Sequence, residues 1–341
     1  MKYKPLGRTD LQVSEICLGT MTFGGSGFWQ SIGQLDQEEV NELVQTAVDR
    51  GVNFFDTASI YSNGAAERML GKALKDLKLK RSDVVIATKA HGRTHHGDKT
   101  ETLTRTHIMT AVKESLARLD TDYIDLYQIH GVDLSTPLEE ILHALDDLVS
   151  SGMVRHVGCS NVMAWQIMKA LIISASHNWA RFETVQAHYS IATRDIEREI
   201  VPIMESEQMG LMVWSPLAGG LLTGKFRRGE PDPEEARRTR MNFPPVNREH
   251  VFSLIDVITP IADKLNVSVA KVALAWLLHQ KHVMSVIVGA RTIQQLKENL
   301  AAADLSLSKD DLAVLDKASA LKPEYPRWMI DHQNIESLSG I

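Results

Sequence analysis

Short apolar segments alternate with amphipathic helical segments along almost the whole chain. The first helix is predicted to begin with Asp36 as its N-cap and Glu39 as the capping-box partner. A later helix is predicted to begin with Thr136 as the cap, Pro137 at its first position and Glu139 as capping-box partner. The predicted elements include helices over 36–50, 65–77 and 103–119, and the last four barrel strands over 154–158, 183–187, 210–214 and 285–289. Short apolar strands between amphipathic helices predict a parallel sheet with helices outside, and eight such units close as a (β/α)8 TIM barrel of the α/β class.

The domain organisation follows from the same pattern. No shift in composition divides the chain, so we expect a single barrel domain over residues 1–341, with its core at about 14–305. Residues 2–13 alternate around an Arg-Thr-Asp turn and predict a β-hairpin that caps the barrel floor. Residues 226–251 follow the seventh barrel strand without periodicity, which is typical of a lid-like or disordered loop. The tail, residues 321–341, is either a strap on the barrel or a wall of the ligand pocket.

Composition narrows the classes of function. A net charge of −6 and a pI near 6.1 give no polycationic surface for nucleic acid or for an anionic membrane. The two cysteines, Cys17 and Cys159, lie in apolar runs, so neither a disulfide framework nor a cysteine-based zinc site is expected. No run has the length of a membrane span, and the first residues lack a signal peptide's apolar core. We expect a cytoplasmic protein with no membrane or nucleic-acid partner, either a monomer or a homo-oligomer.

Four ionisable residues stand at or just beyond the ends of successive apolar runs. They are Asp56, Tyr61, Lys89 and His130. In a (β/α)8 barrel the C-terminal ends of the strands converge on one site. A lysine ammonium lowers the pKa of a nearby phenol, a carboxylate holds the lysine charged, and a histidine donates to a carbonyl oxygen. Any one of these residues alone is better explained by structure, but the set of four predicts protonation of a C=O group.

Motifs for hydrolase, nucleotide-binding and metal sites are absent from the chain or incomplete in it. The chain has no Gly-x-Ser-x-Gly elbow, no Cys-x-x-Cys and no Gly-x-Gly-x-x-Gly, which argues against a Rossmann domain. The segment 219–225 approaches a phosphate-binding loop, but Phe226 stands where the Mg²⁺-binding Ser or Thr belongs. His91, His95 and His96 could indicate a metal, yet their turn-rich surroundings favour a solvated loop, so no metal site is predicted.

A further set of motifs runs along the chain: Asp56-Thr-Ala-x-x-Tyr61-x-x-Gly-x-x-Glu67, Lys89, Gln128-Ile-His130, Gly158-Cys-Ser-Asn161, Trp214-Ser-Pro-Leu217 and Gly289-Ala-Arg291-Thr-x-x-Gln295-Leu-x-Glu298-Asn299. In these motifs the chain resembles the aldo-keto reductase superfamily. The resemblance covers nearly the whole chain, with the motifs in the correct order. The chain is most similar to the bacterial branch that contains aryl-alcohol-dehydrogenase-like and potassium-channel-β-like proteins.

The resemblance implies an NADPH-dependent oxidoreductase that reduces aldehydes or ketones reversibly. In it Tyr61 is the general acid/base, Lys89 and Asp56 tune the phenol, and His130 orients the carbonyl. The implied cofactor contacts are Gly19, Thr20, Met21, Asp56, Ser160, Asn161, Gln186, Trp214, Ser215, Leu217, Gly219, Lys225, Gly289, Arg291, Gln295, Glu298 and Asn299. Arg291 would grip a 2′-phosphate, which favours NADPH over NADH.

One departure concerns the substrate. The family pattern after the histidine is Trp-Pro-Asp, whereas this chain reads Gly131-Val-Asp133. Room beside Gly131, together with Trp29 and Trp328, predicts bulky or aromatic carbonyl substrates. The alternative is a cofactor-sensing, β-like regulatory subunit with little turnover. A phosphosugar barrel is disfavoured because Gly-rich phosphate loops do not follow both of the last strands.

Overall fold

The computed structural model describes residues 1–25, 27–90, 102–234 and 236–339. Its strands are β1 Tyr3–Pro5, β2 Gln12–Ser14, β3 Ile16–Gly19, β4 Phe54–Asp56, β5 Val85–Ala90, β6 Ile124–Ile129, β7 Val154–Ser160, β8 Phe182–His188, β9 Gly210–Trp214 and β10 Val283–Val288. Strands β1 and β2 form an antiparallel hairpin, and the other eight close a parallel barrel in the order β10-β3-β4-β5-β6-β7-β8-β9. The predicted hairpin and (β/α)8 barrel are therefore confirmed.

Helices surround the barrel. They are α1 Gln37–Asp49, α2 Ala65–Asp76, α3 Arg105–Leu119, α4 Leu138–Ser150, α5 Ala164–His177, α6 Ile200–Glu207, α7 Arg237–Arg240, α8 Arg248–Leu265, α9 Val269–His279, α10 Ile293–Leu300, α11 Lys309–Ala318 and α12 Arg327–Ser339. Within the described ranges no helix is long and apolar enough to cross a membrane.

The capping predictions had different outcomes at α1 and α4. At α1 both bonds of the capping box are present, between Asp36 and Glu39. At α4 the prediction was wrong, because the N-cap is Pro137 and its position has no side-chain cap bond. The Thr136 hydroxyl instead donates to Asp133 Oδ2, a carboxylate on the loop before the helix. The hydroxyl that the sequence pattern assigns to the helix cap is thus used in a hydrogen bond within the preceding loop.

The core lies in two layers. Between the strands and the helices a large apolar cluster buries the helix stripes, as in α1, whose Val40, Leu43, Val44 and Ala47 are buried. Inside the barrel a smaller cluster joins inward-facing strand residues to Leu6, Leu11 and Val13 of the hairpin segment. The hairpin therefore closes the barrel floor and leaves the opposite end, where the strands terminate, for a site.

Strand register brings the predicted site residues to the same level. Gly19 at the end of β3 lies opposite Asp56 at the end of β4. Lys89 of β5 pairs with Gln128 of β6, and Ser160 of β7 pairs with Gln186 of β8. Because all eight strands are parallel, these residues meet at one end of the barrel.

The two segments without predicted periodicity are partly helical. The segment 226–251 contains α7 and the start of α8, and Arg248 donates to both carboxylate oxygens of Asp232 at 2.8 and 2.5 Å. In the tail, α12 follows a segment in which Glu324 accepts two hydrogen bonds of 2.9 Å from Arg198. The lid-like role of residues 226–251 stays a prediction.

Candidate active site

A cavity of about 790 Å³ opens at the C-terminal ends of the barrel strands. Every residue predicted to contact cofactor or substrate lines it, except Gly131 and Trp328. Asp56, Tyr61 and His130 lie in its wall, and Lys89 is fully buried beneath them. The cavity therefore runs as one cleft from the four ionisable residues to the segment after β10.

An ion pair between Lys89 and Asp56 is buried at the base of the cavity. The Lys89 ammonium donates to Asp56 Oδ1 at 2.6 Å and to the Thr57 carbonyl at 2.8 Å. Gln186 Nε2 donates to the second carboxylate oxygen of Asp56 at 2.8 Å. Burial alone would lower the pKa of Lys89, but the Asp56 carboxylate and Tyr61 outweigh it, so the net pKa is raised. The ammonium is thus held charged and fixed in position.

Tyr61 lies next to this ammonium. Its ring centroid is 5.1 Å from Lys89 Nζ and 5.8 Å from the His130 ring, which meets it edge-on. Burial raises the pKa of Tyr61 above its ordinary value of 10.0, and the Lys89 charge opposes the rise without cancelling it. The net direction is opposite to the one expected from the ammonium alone, because desolvation of the phenolate is the larger effect. In this structure the phenol is protonated at neutral pH, as a proton donor must be.

The backbone around Tyr61 is unusual and well anchored. Ser62 and Asn63 have φ of 49° and 53°, and Gly64 has φ of 80°. The φ of Gly64 favours glycine, and a Cβ there would stand 2.7 Å from Arg118 Cδ, so a larger residue would be strained and would displace that side chain. Ser62 Oγ donates to the Phe23 carbonyl at 2.9 Å. These constraints fix the direction in which the phenol leaves the chain.

A second buried polar cluster supports the site from behind. Glu67 in the first turn of α2 is fully buried and accepts hydrogen bonds of 2.6 Å from Thr88 Oγ1 and from Arg118 Nε. Thr88 immediately precedes Lys89 on β5. The cluster thus ties the helix that follows Tyr61 to the strand that carries the lysine.

Trp214 at the end of β9 is held by a chain of hydrogen bonds. Its Nε1 donates to Asn161 Oδ1 at 3.1 Å, and Asn161 Nδ2 donates to the His130 carbonyl at 3.0 Å. The indole stacks with the His188 ring at a centroid distance of 4.6 Å and is parallel to Phe243 at 5.8 Å. Burial lowers the pKa of His188 to about 4, so this ring is neutral at physiological pH. The flat Trp214 surface is therefore positioned from the same strand ends as the ionisable residues.

Two buried hydroxyls along the cavity have no hydrogen-bond partner within the described part of the chain. They are Thr20 Oγ1 and Ser160 Oγ. Buried polar groups are normally paired, so unpaired ones in a cavity wall fit a polar ligand such as a nicotinamide carboxamide. Elsewhere in the cavity lining a ligand can approach the backbone closely, because no atom of the described residues lies within 4 Å of a Cβ built at Gly220. The residues present fit a dinucleotide.

The far end of the cavity is basic. Arg291, Arg237, Arg238 and Lys225 line it. Burial and the neighbouring Arg291 and Arg238 lower the pKa of Arg237, which reflects several like charges close together. Such a concentration of cations favours an anionic group. The sequence reasoning missed Arg237 and Arg238, although the arginine-rich composition of the segment after β9 is the signal that could have found them.

The residues after β10 form a local hydrogen-bonded turn into α10. Thr292 caps the helix by accepting from the Gln295 amide, and Gln295 Oε1 accepts from the Arg291 amide at 2.9 Å. Asn299 Nδ2 donates to the Gly289 carbonyl at 3.3 Å. The Arg291 guanidinium donates to backbone carbonyls in the loop after β3, so its predicted role at a phosphate is not its only contact.

The three residues predicted to contact substrate differ in position. Trp29 is buried in the cavity wall, with its ring centroid 5.8 Å from that of Tyr61. No atom of the described residues lies within 4 Å of a Cβ built at Gly131, and Gly131 does not line the cavity. Trp328 is 46% exposed on α12, contacts Tyr325, and is not brought to the cavity. Sequence reasoning missed the apolar neighbours Phe28, Ile32, Ile60, Met241 and Phe243 in the cavity wall.

The described residues do not meet the requirements of a metal site or of a reactive thiol. No group of three His, Cys, Asp or Glu residues there could hold a metal ion. The histidines His91, His95 and His96 lie outside the described residues. Cys17 and Cys159 are buried and unpaired, and burial raises the pKa of both thiols.

Comparison with known proteins gives consistent matches over the full barrel. A model of the Aldo/keto reductase family matches residues 15–320. A probable voltage-gated potassium channel subunit beta from Oryza sativa subsp. japonica is 37% identical over 96% of this chain and 98% of its own length. A Schizosaccharomyces pombe protein provisionally named an aryl-alcohol dehydrogenase is 34% identical, over 92% and 95%. Versiconal hemiacetal acetate reductase from Aspergillus parasiticus is 34% identical, over 96% and 99%. Both kinds of protein named in the sequence resemblance are thus among the relatives.

Proposed function

Because the chain belongs to the aldo/keto reductase family, we propose that it is an NADPH-dependent reductase of aldehydes or ketones, working reversibly. The observation that carries the proposal is the buried Lys89–Asp56 pair beside Tyr61, in a cleft that continues to a basic end. Oxidoreductase names among the relatives support the reaction class.

In this proposal each polar side chain has a defined task. His130 donates to the carbonyl oxygen and orients it, while Tyr61 transfers its phenolic proton to that oxygen. Lys89 stabilises the phenolate that this transfer leaves, and Asp56 keeps the ammonium charged and directed. When bound, a reduced nicotinamide supplies the hydride that the carbonyl carbon accepts. Proton transfer of this kind contributes about 10²–10⁴-fold to a rate.

The remaining polar residues would hold the cofactor. Ser160, Asn161 and Gln186 would hydrogen-bond a carboxamide, and Trp214 would stack on the nicotinamide ring. Arg291, with Arg237 beside it, would bind the adenosine phosphate, which favours NADPH over NADH because a guanidinium fork matches phosphate geometry. The apolar wall around Trp29 supports bulky or aromatic carbonyl substrates over short aliphatic ones.

The test is a screen of carbonyl compounds with each cofactor. NADPH absorbance should fall with aromatic, aliphatic and dicarbonyl substrates at rates that rank bulky compounds first, and NADH should be the poorer donor. Arg291→Ala should weaken NADPH binding by about 1.5–3 kcal/mol, the cost of a charge-assisted contact, and NADH binding much less. Wild-type preference for NADH, or equal weakening of both cofactors, would contradict the cofactor assignment.

A second function is favoured by one comparison. The rice relative, 37% identical across nearly the full length, is named as a channel subunit, so a cofactor-sensing role with little turnover is the alternative. Absence of turnover with every substrate despite NADPH binding, together with co-purification of a membrane protein, would favour it. Measurable turnover that depends on Tyr61 favours the enzyme.

A further inference from the structure

Arg291 makes a contact that its proposed phosphate role does not explain. Its Nη2 donates to the Ser31 carbonyl at 2.8 Å and its Nε donates to the Ile32 carbonyl at 3.1 Å. Adjacent N–H groups of one planar guanidinium therefore hold two consecutive carbonyls of the loop after β3. These carbonyls lie about 260 residues away in sequence. The contact joins the two ends of the family-matched barrel.

A second hydrogen bond joins the same two segments. Thr22 Oγ1, at the start of the loop after β3, donates to the Ala290 carbonyl at 2.9 Å. The loop returns close to its own beginning, because a Cβ at Gly33 would lie 2.0 Å from the Thr22 carbonyl oxygen. The loop is thus attached to the segment after β10 at both its start and its return.

The loop between these attachments carries a wall of the substrate pocket. A 3-10 turn, Gly27–Ser31, contains Trp29, whose carbonyl accepts from the amides of Ile32 at 2.9 Å and Gly33 at 3.1 Å. Trp29 and Ile32 are buried, line the cavity and pack in one apolar cluster with Ile60 and Tyr61. Because the turn is internally bonded, a shift at the Ser31 and Ile32 carbonyls also moves Trp29 relative to the phenol.

We propose that Arg291 is a specificity-determining positioning residue, which sets the Trp29–Ile32 wall beside Tyr61 by holding the Ser31 and Ile32 carbonyls. The part that concerns substrate choice rests on the proposed carbonyl-reductase function. One side chain then links the phosphate-binding end of the cleft to the shape of the substrate pocket. Such a link is reciprocal, so a bulky substrate and a phosphate-bearing cofactor affect each other's binding by the same factor.

The test compares three variants. Arg291→Lys keeps the positive charge but lacks the guanidinium fork. Thr22→Val removes the hydroxyl of the second attachment and changes no charge. Arg50→Ala is the matched control, since it removes an arginine whose ion pair with Asp304 is exposed. Arg50 lies between the end of α1 and the start of β4.

The first readout needs no activity. Hydrogen exchange at the Ile32 and Gly33 amides, measured without cofactor, should be about three- to tenfold faster in Arg291→Lys and in Thr22→Val, the factor for losing one hydrogen bond. Arg50→Ala should exchange at the wild-type rate at these amides. Wild-type exchange in Arg291→Lys overturns the positioning role. If Arg291→Lys fails to fold, Thr22→Val decides by the same criterion.

The second readout is substrate ranking at saturating NADPH. The ratio of KM for a bulky aromatic ketone to KM for a short aliphatic aldehyde should rise about three- to tenfold in Arg291→Lys and in Thr22→Val. In Thr22→Val the preference for NADPH over NADH should stay unchanged. A lower NADPH affinity in Arg291→Lys with an unchanged KM ratio would refute the link to specificity. If the wild type reduces no carbonyl at all, the proposed function fails, while the exchange measurement still decides the positioning role.

Discussion

Replacing Asp56 by Asn should destabilise the protein strongly, because it leaves the Lys89 ammonium buried without its counter-charge. The two side chains are 0% and 3% exposed and 2.6 Å apart. After the substitution the ammonium keeps the Thr57 carbonyl at 2.8 Å, a neutral partner. Removing one member of a buried ion pair costs about 3–5 kcal/mol, and we expect a loss in that range at pH 7.

A double-mutant cycle tests the magnitude. Lys89→Met alone should also cost about 3–5 kcal/mol, since within the described part of the chain it leaves the Asp56 carboxylate with Gln186 Nε2 as its hydrogen-bond donor. The double variant Asp56→Asn/Lys89→Met has no buried charge at this position. Its loss should be at least about 2 kcal/mol smaller than the sum of the single losses, measured by urea unfolding. Additivity within about 0.5 kcal/mol would refute the reasoning.

The pH dependence supplies a second, independent signature. In the wild type the folded pKa of Lys89 is raised above 10.5, so its contribution is fully present below that pH and is lost as pH rises through the folded pKa. In Asp56→Asn the burial that lowers the pKa of Lys89 is opposed by Tyr61 without the Asp56 carboxylate, the largest opposing effect. We therefore expect the folded pKa of Lys89 to fall below 10.5, so that the unfolded state binds more protons just below that pH. The stability of the variant should therefore rise relative to wild type over the alkaline window in which pH approaches 10.5 from below. A constant difference across that window would mean that Lys89 does not carry the effect.

Three further predictions follow from the site. Tyr61→Phe should lower kcat by more than about tenfold, because the phenolic proton is lost, while NADPH titration shows nearly unchanged affinity; activity within tenfold of wild type would exclude this role. Trp29→Ala should change the KM ranking of bulky and short substrates and Trp328→Ala should not, because only the first side chain lines the cavity; kinetics on both variants checks this. Glu67→Gln should cost about 1.5–3 kcal/mol in urea unfolding, whereas the exposed partner variant Glu114→Gln should cost under about 1 kcal/mol, and equal losses would contradict the difference in burial.

The part of the site that could be predicted from sequence is the part that the barrel geometry fixes. Asp56, Lys89 and His130 close short apolar runs, and parallel strands place such residues at one end of the barrel. The cofactor-side residues came from the family motifs, since nothing in their spacing alone brings Gly19 and Arg291 into one cavity. The cavity lining contains both.

What could not be predicted depends on contacts between distant segments. The Thr136 cap was wrong because Asp133 takes its hydroxyl. The rise in the Tyr61 pKa depends on how deeply the ring is buried, which a charge argument on Lys89 does not include. The turn that carries Trp29 is held by carbonyl contacts, and a backbone carbonyl leaves no mark on the amino-acid pattern.

The cost of the buried ion pair also bears on the choice between an enzyme and a sensor. Burying Lys89 and Asp56 is energetically expensive, and replacing such a pair by apolar side chains is often neutral or stabilising. A protein that only senses its cofactor needs the basic end of the cleft and the flat Trp214 surface, but it has no use for an ammonium directed at a phenol. The pair lies next to Tyr61, whose raised pKa keeps it a proton donor, and His130 stands across the same cavity. The position of the ion pair therefore favours the proposed proton transfer to a carbonyl oxygen over a sensing role alone, and we expect measurable turnover.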